Sequence, residues 1–329
     1  MGKYQNVGTP KFYVDYFQYA LTTGLITVND ISNNAEQDNN EFKKLFYLNP
    51  TNSIFLDMDT LSINTKLQND LKTFDYFMIL NHDLHESSEV FAALTHSIDE
   101  QLWGGFGYTG LVNDCANGEA LYNGWSLCDL EWVSGGDGSQ EVLSFYILNQ
   151  CNIGAISIGT KYDMPHSPDL DLTMTREFGG AKKQFTRGGA LLTNYNYTQP
   201  PTWGDGEAWG LYTEAPANLG ARRAGRRTWD LKFSYLSASD IMADMEMLNL
   251  HPIDGDVDHD YQPSLTDNNF FSQFMQKTLG GSLRFIFQPD GSDYNPDGFA
   301  ICILDQDSIS IKQVAHNTYN ISLRIMEVW

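Results

Sequence analysis

The chain has 329 residues and a formal net charge of −22, from 20 basic and 42 acidic side chains. This negative charge opposes nonspecific binding to nucleic acid or to an anionic membrane, so we expect neither as a partner. Hydrophobic residues make up 42% of the chain and charged residues only 19%, which excludes a disordered acidic chain.

The length predicts two domains, because single hydrophobic cores rarely grow past about 250 to 300 residues. Residues 1–10 lack the apolar segment of a secretory signal peptide, and no apolar run reaches the roughly 18 residues of a membrane helix. We therefore expect a chain that is made in the cytosol and does not insert into a membrane. Buried free cysteines are then favoured over a disulfide between Cys115 and Cys128, because the cytosol is reducing.

The first half of the chain carries short apolar runs between polar or glycine-rich turns. Residues 12–17 are aromatic-rich and fit either a strand or an amphipathic helix. Later runs are short enough for buried strands, and one of them is expected to end in a turn at residues 81–84. These runs lie at residues 53–56, 76–80, 142–148 and 155–159. They predict a β-sandwich domain with an N-terminal extension over residues 1–170.

Residues 77–84 and 156–159 resemble the strands of galactose-binding-like jelly-roll sandwiches in phage tail and adsorption proteins. The resemblance implies a jelly-roll fold for this domain and transfers no binding residues. Two prolines within residues 164–170 mark its end. Beyond them, residues 172–178 and 181–187 are separated by two glycines and predict a hairpin. This hairpin is expected to belong to a second domain, residues 171–329.

The clearest pattern of the second domain begins at residue 226. Its alternating apolar residues, Trp229, Leu231, Phe233 and Tyr235, are expected to share the buried face of a strand. Ser237 and Asp240 then form a capping-box pattern. The apolar residues that follow have helical spacing and predict a helix; they are Ile241, Met242, Met245 and Leu248.

A second helix is expected to begin after Asp267 and to end at Gly280 and Gly281. Its predicted buried face consists of Phe270, Phe271, Phe274, Met275 and Thr278. Strands are expected at residues 283–287, 299–304, 308–314 and 319–328, the last with Ile321, Leu323 and Ile325 on one face. Helices packed on an antiparallel barrel or sandwich are the simplest way to bury these faces.

The order of these elements resembles the end of the distal-tail and minor-tail proteins of tailed bacteriophages. Residues 226–233, 279–290 and 319–329 carry the resemblance. It implies a mainly β chain in which a tail-tube-like barrel or sandwich forms a ring and the jelly-roll-like sandwich is peripheral. The implied role is that of a non-enzymatic virion protein in the tail tip or baseplate, which joins the tail to the adsorption apparatus. The implied partners are copies of the chain itself and other tail proteins.

Two polar clusters have spacings that occur in metal sites. His82 and His85 lie beside acidic residues, but no third distant ligand accompanies them, so a polar surface turn is favoured. Residues 254–260 alternate aspartates as a calcium loop does, but His259 and Leu265 stand where an EF-hand needs glycine and glutamate. A solvated acidic loop is favoured over irregular calcium binding. No metal or cofactor is predicted.

The sequence has no nucleophile elbow, no Walker loop and no dinucleotide-binding glycine motif. A hydrolase of cell-surface polymers stays open, because paired carboxylates such as Glu131 and Glu141 are recognised by their separation in space. Trp103, Trp125 and Trp132 lie in a glycine-rich segment and could stack on sugar rings, as in a glycan-binding host-adsorption protein. Packing in the sandwich core is the favoured interpretation of these tryptophans.

The most unusual charge feature is a group of four arginines, Arg222, Arg223, Arg226 and Arg227. Residues 176–232 contain nine basic and five acidic side chains, so this segment carries +4 and the rest of the chain −26. Arginine suits carboxylates at interfaces, which favours head-to-tail contact between copies, with residues 254–260 as an acidic surface. A solvated basic loop is an equally acceptable interpretation.

Overall fold

The part of the chain that the computed structural model describes is mainly β, as the sequence predicts. It comprises residues 7–24, 26–30, 37–38, 42–49, 54–56, 60–65, 73–82, 90–95, 125–133, 141–147, 151–177, 181–195, 226–242, 268–293 and 298–328. Its helical segments are α1 (Tyr16–Thr23), a 3₁₀ helix (Phe42–Phe46), α2 (Ala238–Ile241) and a π-helix (Phe271–Met275).

Strands make up the rest of its regular structure. The first nine are β1 (Lys11–Asp15), β2 (Ile26–Asp30), β3 (Gln37–Asp38), β4 (Ile54–Leu56), β5 (Thr60–Thr65), β6 (Thr73–His82), β7 (Val90–Thr95), β8 (Trp125–Val133) and β9 (Glu141–Ile147). The others are β10 (Cys151–Asp163), β11 (Thr173–Glu177), β12 (Ala181–Phe185), β13 (Leu191–Tyr195), β14 (Arg226–Ser237), β15 (Phe285–Gln288), β16 (Ala300–Leu304), β17 (Ile311–Ala315) and β18 (Thr318–Glu327).

One antiparallel sheet of 11 strands runs through both predicted domains. Its order is β11-β14-β18-β16-β15-β1-β10-β6-β8, with β17 also on β18 and β4 also on β10. Phe12 of β1 pairs with Phe287 of β15 on one side and with Tyr162 of β10 on the other. The predicted boundary at residue 170 therefore does not divide the chain into two separate sheets. Smaller sheets are formed by β3-β2-β5-β9-β7 and by the β12-β13 pair.

The position of β1 inside the sheet follows from its two apolar faces. Phe12 and Val14 belong to the larger core cluster, whereas Tyr13 belongs to the smaller one. A strand that is buried on both faces has an unbroken apolar run, which explains the aromatic run that begins at Phe12. Asp15 then caps α1, because its Oδ1 accepts a hydrogen bond from the Gln18 backbone N–H at 3.1 Å.

The larger core cluster lies between the sheet and the π-helix. The ring centroid of Phe274 lies 4.7 Å from that of Phe12 and 5.1 Å from that of Phe270. The predicted buried face of this helix is confirmed, because all five of its residues are buried or packed against the core. They are Phe270, Phe271, Phe274, Met275 and Thr278.

The regular helix ends at Met275, before the predicted end, and Gly280 and Gly281 lie in the turn that follows it. Gly280 and Gly281 have φ angles of 74° and 82°, in the left-handed region that favours glycine. A Cβ at Gly281 would collide with the side chain of Leu304, so the close packing there requires glycine as well. The predicted capping residue, Asp267, lies outside the described residues.

The central strand pair, β14 and β18, confirms most of its predicted pattern. Ile321, Leu323 and Ile325 of β18 are buried, as are Trp229, Leu231 and Phe233 of β14. Tyr235 was expected on the same face, but it is 80% exposed. A bulge between Phe233 and Leu236 shifts the register by one residue, so Leu236 takes the buried place.

The capping box before α2 is confirmed. Ser237 Oγ accepts a hydrogen bond from Asp240 N at 3.3 Å, and Asp240 Oδ2 accepts one from Ser237 N at 2.8 Å. The helix then ends at Ile241, because Met242 has an extended backbone with φ −118° and ψ 146°. The predicted continuation is therefore wrong at Met242, and its later residues, Met245 and Leu248, lie outside the described residues.

The hairpin predicted for residues 172–187 pairs differently. β11 joins β14 in the large sheet, because Leu172 and Met174 pack against the larger core cluster. β12 pairs instead with β13, across a turn that contains Gly188 and Gly189. The predicted pairing is therefore wrong, and the glycine pair that closes a hairpin is the later one, at residues 188 and 189.

The turn predicted at residues 81–84 is wrong at its first two residues. β6 continues through Asn81 and His82, and the backbone of His82 pairs with Ile153 of β10. The His82 side chain is 5% exposed, so it does not belong to a polar surface turn. Its partner in the predicted metal spacing, His85, lies outside the described residues.

Candidate assembly site

Only the end of the arginine-rich stretch is described, where Arg226 and Arg227 begin β14. The Arg227 guanidinium forms an ion pair with Glu327, with Nε 3.1 Å from Oε2 and Nη2 3.0 Å from Oε1. The Arg227 backbone N–H also donates to Glu327 Oε2 at 2.9 Å, and Nη2 donates to the Phe299 carbonyl at 2.8 Å. The structure thus satisfies Arg227 within its own chain.

The ion pair between Arg227 and Glu327, here called the clasp, takes Arg227 out of the predicted subunit interface. Arg227 is 3% exposed, and its guanidinium carbon lies 5.2 Å from the centroid of the Trp229 ring. A cation on the face of a buried tryptophan is held by the ring quadrupole as well as by the carboxylate. A carboxylate from a neighbouring copy cannot reach this position without displacing Glu327.

The rest of the predicted interface stays a prediction. Arg226 is half-buried at the start of β14, where its Cα partner is Glu177 of β11. Arg222 and Arg223 lie outside the described residues, as does the acidic loop at residues 254–260.

The β12-β13 hairpin, residues 181–195, is the most exposed apolar element of the described chain. It follows β11 after three residues and pairs with itself rather than with the large sheet. Phe185 is 76% exposed, Leu192 58% and Leu191 51%. Isolated large hydrophobic side chains are common on surfaces, but Phe185 and Leu191 are opposite each other on one face of the hairpin, which indicates a contact surface.

The turn of this hairpin is fixed by hydrogen bonds. The Thr186 N–H donates to the Ala190 carbonyl at 2.8 Å, and the Ala190 N–H donates to Thr186 Oγ1 at 3.0 Å. The Gly189 N–H donates to the Thr186 carbonyl at 2.9 Å, and Gly189 has a φ of 85°. The tip is therefore a defined structure. Sequence reasoning identified β12 but missed this surface, although the Phe185 and Leu191 positions flanking a glycine pair were a usable signal.

The remaining predicted site residues are not brought together in the described structure. Trp125 and Trp132 are on β8, where their Cα partners are Leu80 and Phe74 of β6. The side chains of both tryptophans, and the whole of Trp103, lie outside what is described. Glu131 is on β8 of the large sheet and Glu141 begins β9 of the five-stranded sheet. Their side chains are not described, so the carboxylate pair stays untested.

A shallow groove of about 210 Å³ opens on the solvent face of β14 and β18. Lys232 Nζ lies 3.0 Å from Asp171 Oδ2, and Arg324 Nε lies 3.0 Å from Asp305 Oδ2. The Gln306 side chain bonds the β18 backbone, because its Oε1 accepts from Arg324 N at 2.8 Å. Each of these groups is paired with another side chain or with the backbone of the sheet, so we assign them to stabilising the sheet.

Lys277 and Asp15 are two further buried ionisable groups. Lys277 is 4% exposed, and its Nζ donates to Gln273 Oε1 at 2.7 Å and to Thr160 Oγ1 at 3.2 Å. Burial lowers the pKa of Lys277 to about 8, while Asp75 acts in the opposite direction. Burial raises the pKa of Asp15 to about 8, although backbone hydrogen bonds oppose this shift. Neither group is open to a substrate.

One of the four cysteines is described with its side chain. Cys302 is a free, buried thiol, as expected. Burial raises its pKa, and the nearby Glu327 carboxylate acts in the same direction. A thiol that is buried and protonated is unreactive, so Cys302 acts as a core residue.

Among the described residues, no helix has the length and apolarity to cross a membrane. The same part of the chain holds no group of three or more His, Cys, Asp or Glu side chains that could bind a metal ion. Comparison of the chain with known protein families, with curated proteins and with solved structures finds no match.

Proposed function

We propose that the chain is a structural subunit of a phage tail tip or baseplate, of the distal-tail type, which assembles into a ring of identical copies. The observation that carries the proposal is the β12-β13 hairpin, which presents exposed apolar side chains on a basic segment of an otherwise acidic chain. The resemblance of residues 226–233, 279–290 and 319–329 to tail proteins supplies the setting. The proposal includes a tail-tube-like fold for the second half and a jelly-roll-like fold for the first.

The physical basis of the proposal is a head-to-tail contact. Such a contact joins two different surfaces of the same chain, and it closes into a ring when the rotation between copies divides a full turn. Exposed ion pairs contribute only about 0 to 1 kcal/mol each, so apolar contacts must supply most of the affinity. Charge then sets the register and the rate of association.

The test is the oligomeric state of the purified chain, measured by multi-angle light scattering and negative-stain electron microscopy. We expect a closed ring of defined copy number, and labelling of the chain in phage particles should locate it at the tail tip. A chain that stays monomeric at all accessible concentrations and is missing from purified particles would contradict the proposal.

A charge variant tests whether the arginines act in assembly without changing the stability of the fold. Substituting Arg222, Arg223 and Arg226 by glutamine should weaken or misregister the ring while the thermal unfolding curve stays close to that of the parent. Arg227 is left unchanged in this variant, because its side chain is part of the buried clasp with Glu327. Equal assembly of variant and parent at low and high salt would show that these three arginines serve another purpose.

A further inference from the structure

We infer that the β12-β13 hairpin is the element by which one copy of the chain binds the next. In this inference Phe185 and Leu191 form the apolar contact, and Lys183 and Arg187 direct it toward the acidic surface of a second copy. The inference rests on the proposed self-assembly and deepens it, because it names the contact and its chemistry.

The first support is the way the hairpin leaves its apolar side chains uncovered. Phe185 and Leu191 are directly opposite each other in the β12-β13 register, so their side chains share one face. Leu192 is opposite Gln184, on the other face. A two-stranded hairpin cannot bury such side chains by itself and is marginally stable alone. A partner that covers the Phe185 face supplies what the hairpin lacks.

The second support is the order of the tip. The Thr186 and Gly189 hydrogen bonds fix the turn before any contact is made. A preorganised tip loses little conformational entropy on binding, so more of the contact energy appears as affinity. Phe185 is also aromatic, and aromatic residues are enriched at the centre of interfaces.

The third support is charge, which selects the partner. The hairpin contains three basic residues and no acidic one, whereas the remainder of the chain carries −25. Lys183 and Arg187 are both exposed. Nucleic acid and anionic membrane would attract the hairpin but would be repelled by the rest of the chain. A second copy of the chain carries the same net charge, but salt screens the repulsion between the two bodies, and a folded acidic surface can cover Phe185 as well as pair with the hairpin cations.

The apolar contact is tested with the double variant Phe185→Ser and Leu191→Ser in the full chain. We expect its self-association to be weaker by at least about tenfold, measured by sedimentation velocity over a concentration series. The matched control is Tyr235→Ser, which removes an aromatic side chain that is 80% exposed outside the hairpin, and its assembly should equal that of the parent.

The basic residues are tested with the double variant Lys183→Gln and Arg187→Gln. Salt screens the repulsion between two copies of net charge −22 as well as the attraction of the hairpin cations, so the variant should assemble more slowly than the parent at low salt and approach it at high salt. Lys312→Gln is the control, because Lys312 is an exposed lysine on β17. Unchanged salt dependence in the hairpin variant would overturn the role assigned to the two cations.

A photo-crosslinking amino acid at Phe185 identifies the partner directly. We expect crosslinks between copies of the chain, with mass spectrometry placing them on acidic segments. If the parent assembles but Phe185 crosslinks only to another protein, or the serine variant assembles as the parent does, the hairpin inference fails while the proposed function stands. If the parent does not self-assemble, both fail. Melting curves that match the parent exclude unfolding of the variants.

Discussion

Among the described residues, an arginine and a lysine are buried, Arg227 and Lys277, and their surroundings differ. Arg227 is 3% exposed and Lys277 is 4% exposed, so each is removed from water to the same degree. Arg227 is held by the Glu327 carboxylate at 3.0 Å. Lys277 is held by the neutral oxygens of Thr160 and Gln273.

The difference shows what a buried charge needs. Moving a cation out of water carries a large desolvation penalty, which a carboxylate in good geometry can repay. Arg227 has that carboxylate and cannot lose its proton under ordinary conditions, so it stays charged. Lys277 has only neutral acceptors at hydrogen-bonding distance and a weaker influence from Asp75, so burial lowers its pKa to about 8. Arg227 therefore keeps its charge, whereas Lys277 can lose its proton near pH 8.

The largest expected effect comes from Glu327→Ala, which removes the carboxylate that Arg227 contacts while the guanidinium stays buried. Breaking a buried pair in this way costs about 3 to 5 kcal/mol, so the free energy of unfolding should fall by that amount in urea titrations at pH 7. Replacing both partners by methionine should restore most of the loss, because no uncompensated charge then remains. A Glu327→Ala variant as stable as the parent would mean that the clasp is not a stabilising contact.

A buried acid sharpens the comparison with Lys277. The folded pKa of Asp15 is about 8 against an ordinary value of 3.8, so the folded state binds more protons than the unfolded state between these values. Stability from this group is present at low pH and is lost as the pH rises toward 8. Asp15→Asn keeps an oxygen that can cap the helix but has no titrating group. The free energy of unfolding of the variant relative to the parent should therefore rise by about 2 to 3 kcal/mol between pH 5 and pH 7. A pH-independent difference between the two would contradict the raised pKa.

Lys277→Met tests the lowered pKa of Lys277, for which the free energy of unfolding should change with pH in the opposite direction to that of Asp15. The folded pKa is about 8 and the ordinary value is 10.5, so the unfolded state binds more protons between them and the parent gains stability as the pH rises. The variant should lack this gain, which amounts to about 2 kcal/mol between pH 7.5 and pH 9.5. Chemical denaturation of variant and parent at several pH values in that range measures it. Parallel stability curves would show that Lys277 keeps an ordinary pKa.

The smallest effect is expected at an exposed ion pair. Lys232 and Asp171 are 3.0 Å apart, but their side chains are 55% and 86% exposed. Water and salt screen such a pair, so Asp171→Ala should change the free energy of unfolding by less than about 1 kcal/mol. Measured beside Glu327→Ala, this variant shows how far burial rather than distance decides the value of an ion pair. A loss as large as that of Glu327→Ala would remove the distinction.

The sequence predicted local structure well because local structure depends on near neighbours. The alternation in β18, the capping box at Ser237 and the buried face of the π-helix each involve residues a few positions apart. The bulge that exposes Tyr235 could not be read, since it depends on how β14 meets β18. A period-two pattern gives the face of each residue only while the register holds.

The pairings that decide the architecture and the candidate site are long-range. Arg227 and Glu327 are separated by 100 residues, and nothing near either residue in the sequence indicates the other. For the same reason the arginines were assigned together to a surface loop, although Arg227 belongs to the core. The exposed hairpin was missed because both glycine pairs, at residues 179–180 and 188–189, could close a turn. Only the packing of β11 on the core decides between them.

The place of β1 in the sheet has a consequence for how the chain acquires its structure. β1 is synthesised before β15, and Tyr13 hydrogen-bonds Gln288 across a separation of 275 residues. On a ribosome that adds about 5 to 20 residues per second, the strand waits many seconds before its partner β15 emerges. Contacts of such high sequence separation slow folding and leave strand edges open meanwhile. An apolar strand that waits this long is where we expect a chaperone to bind the nascent chain.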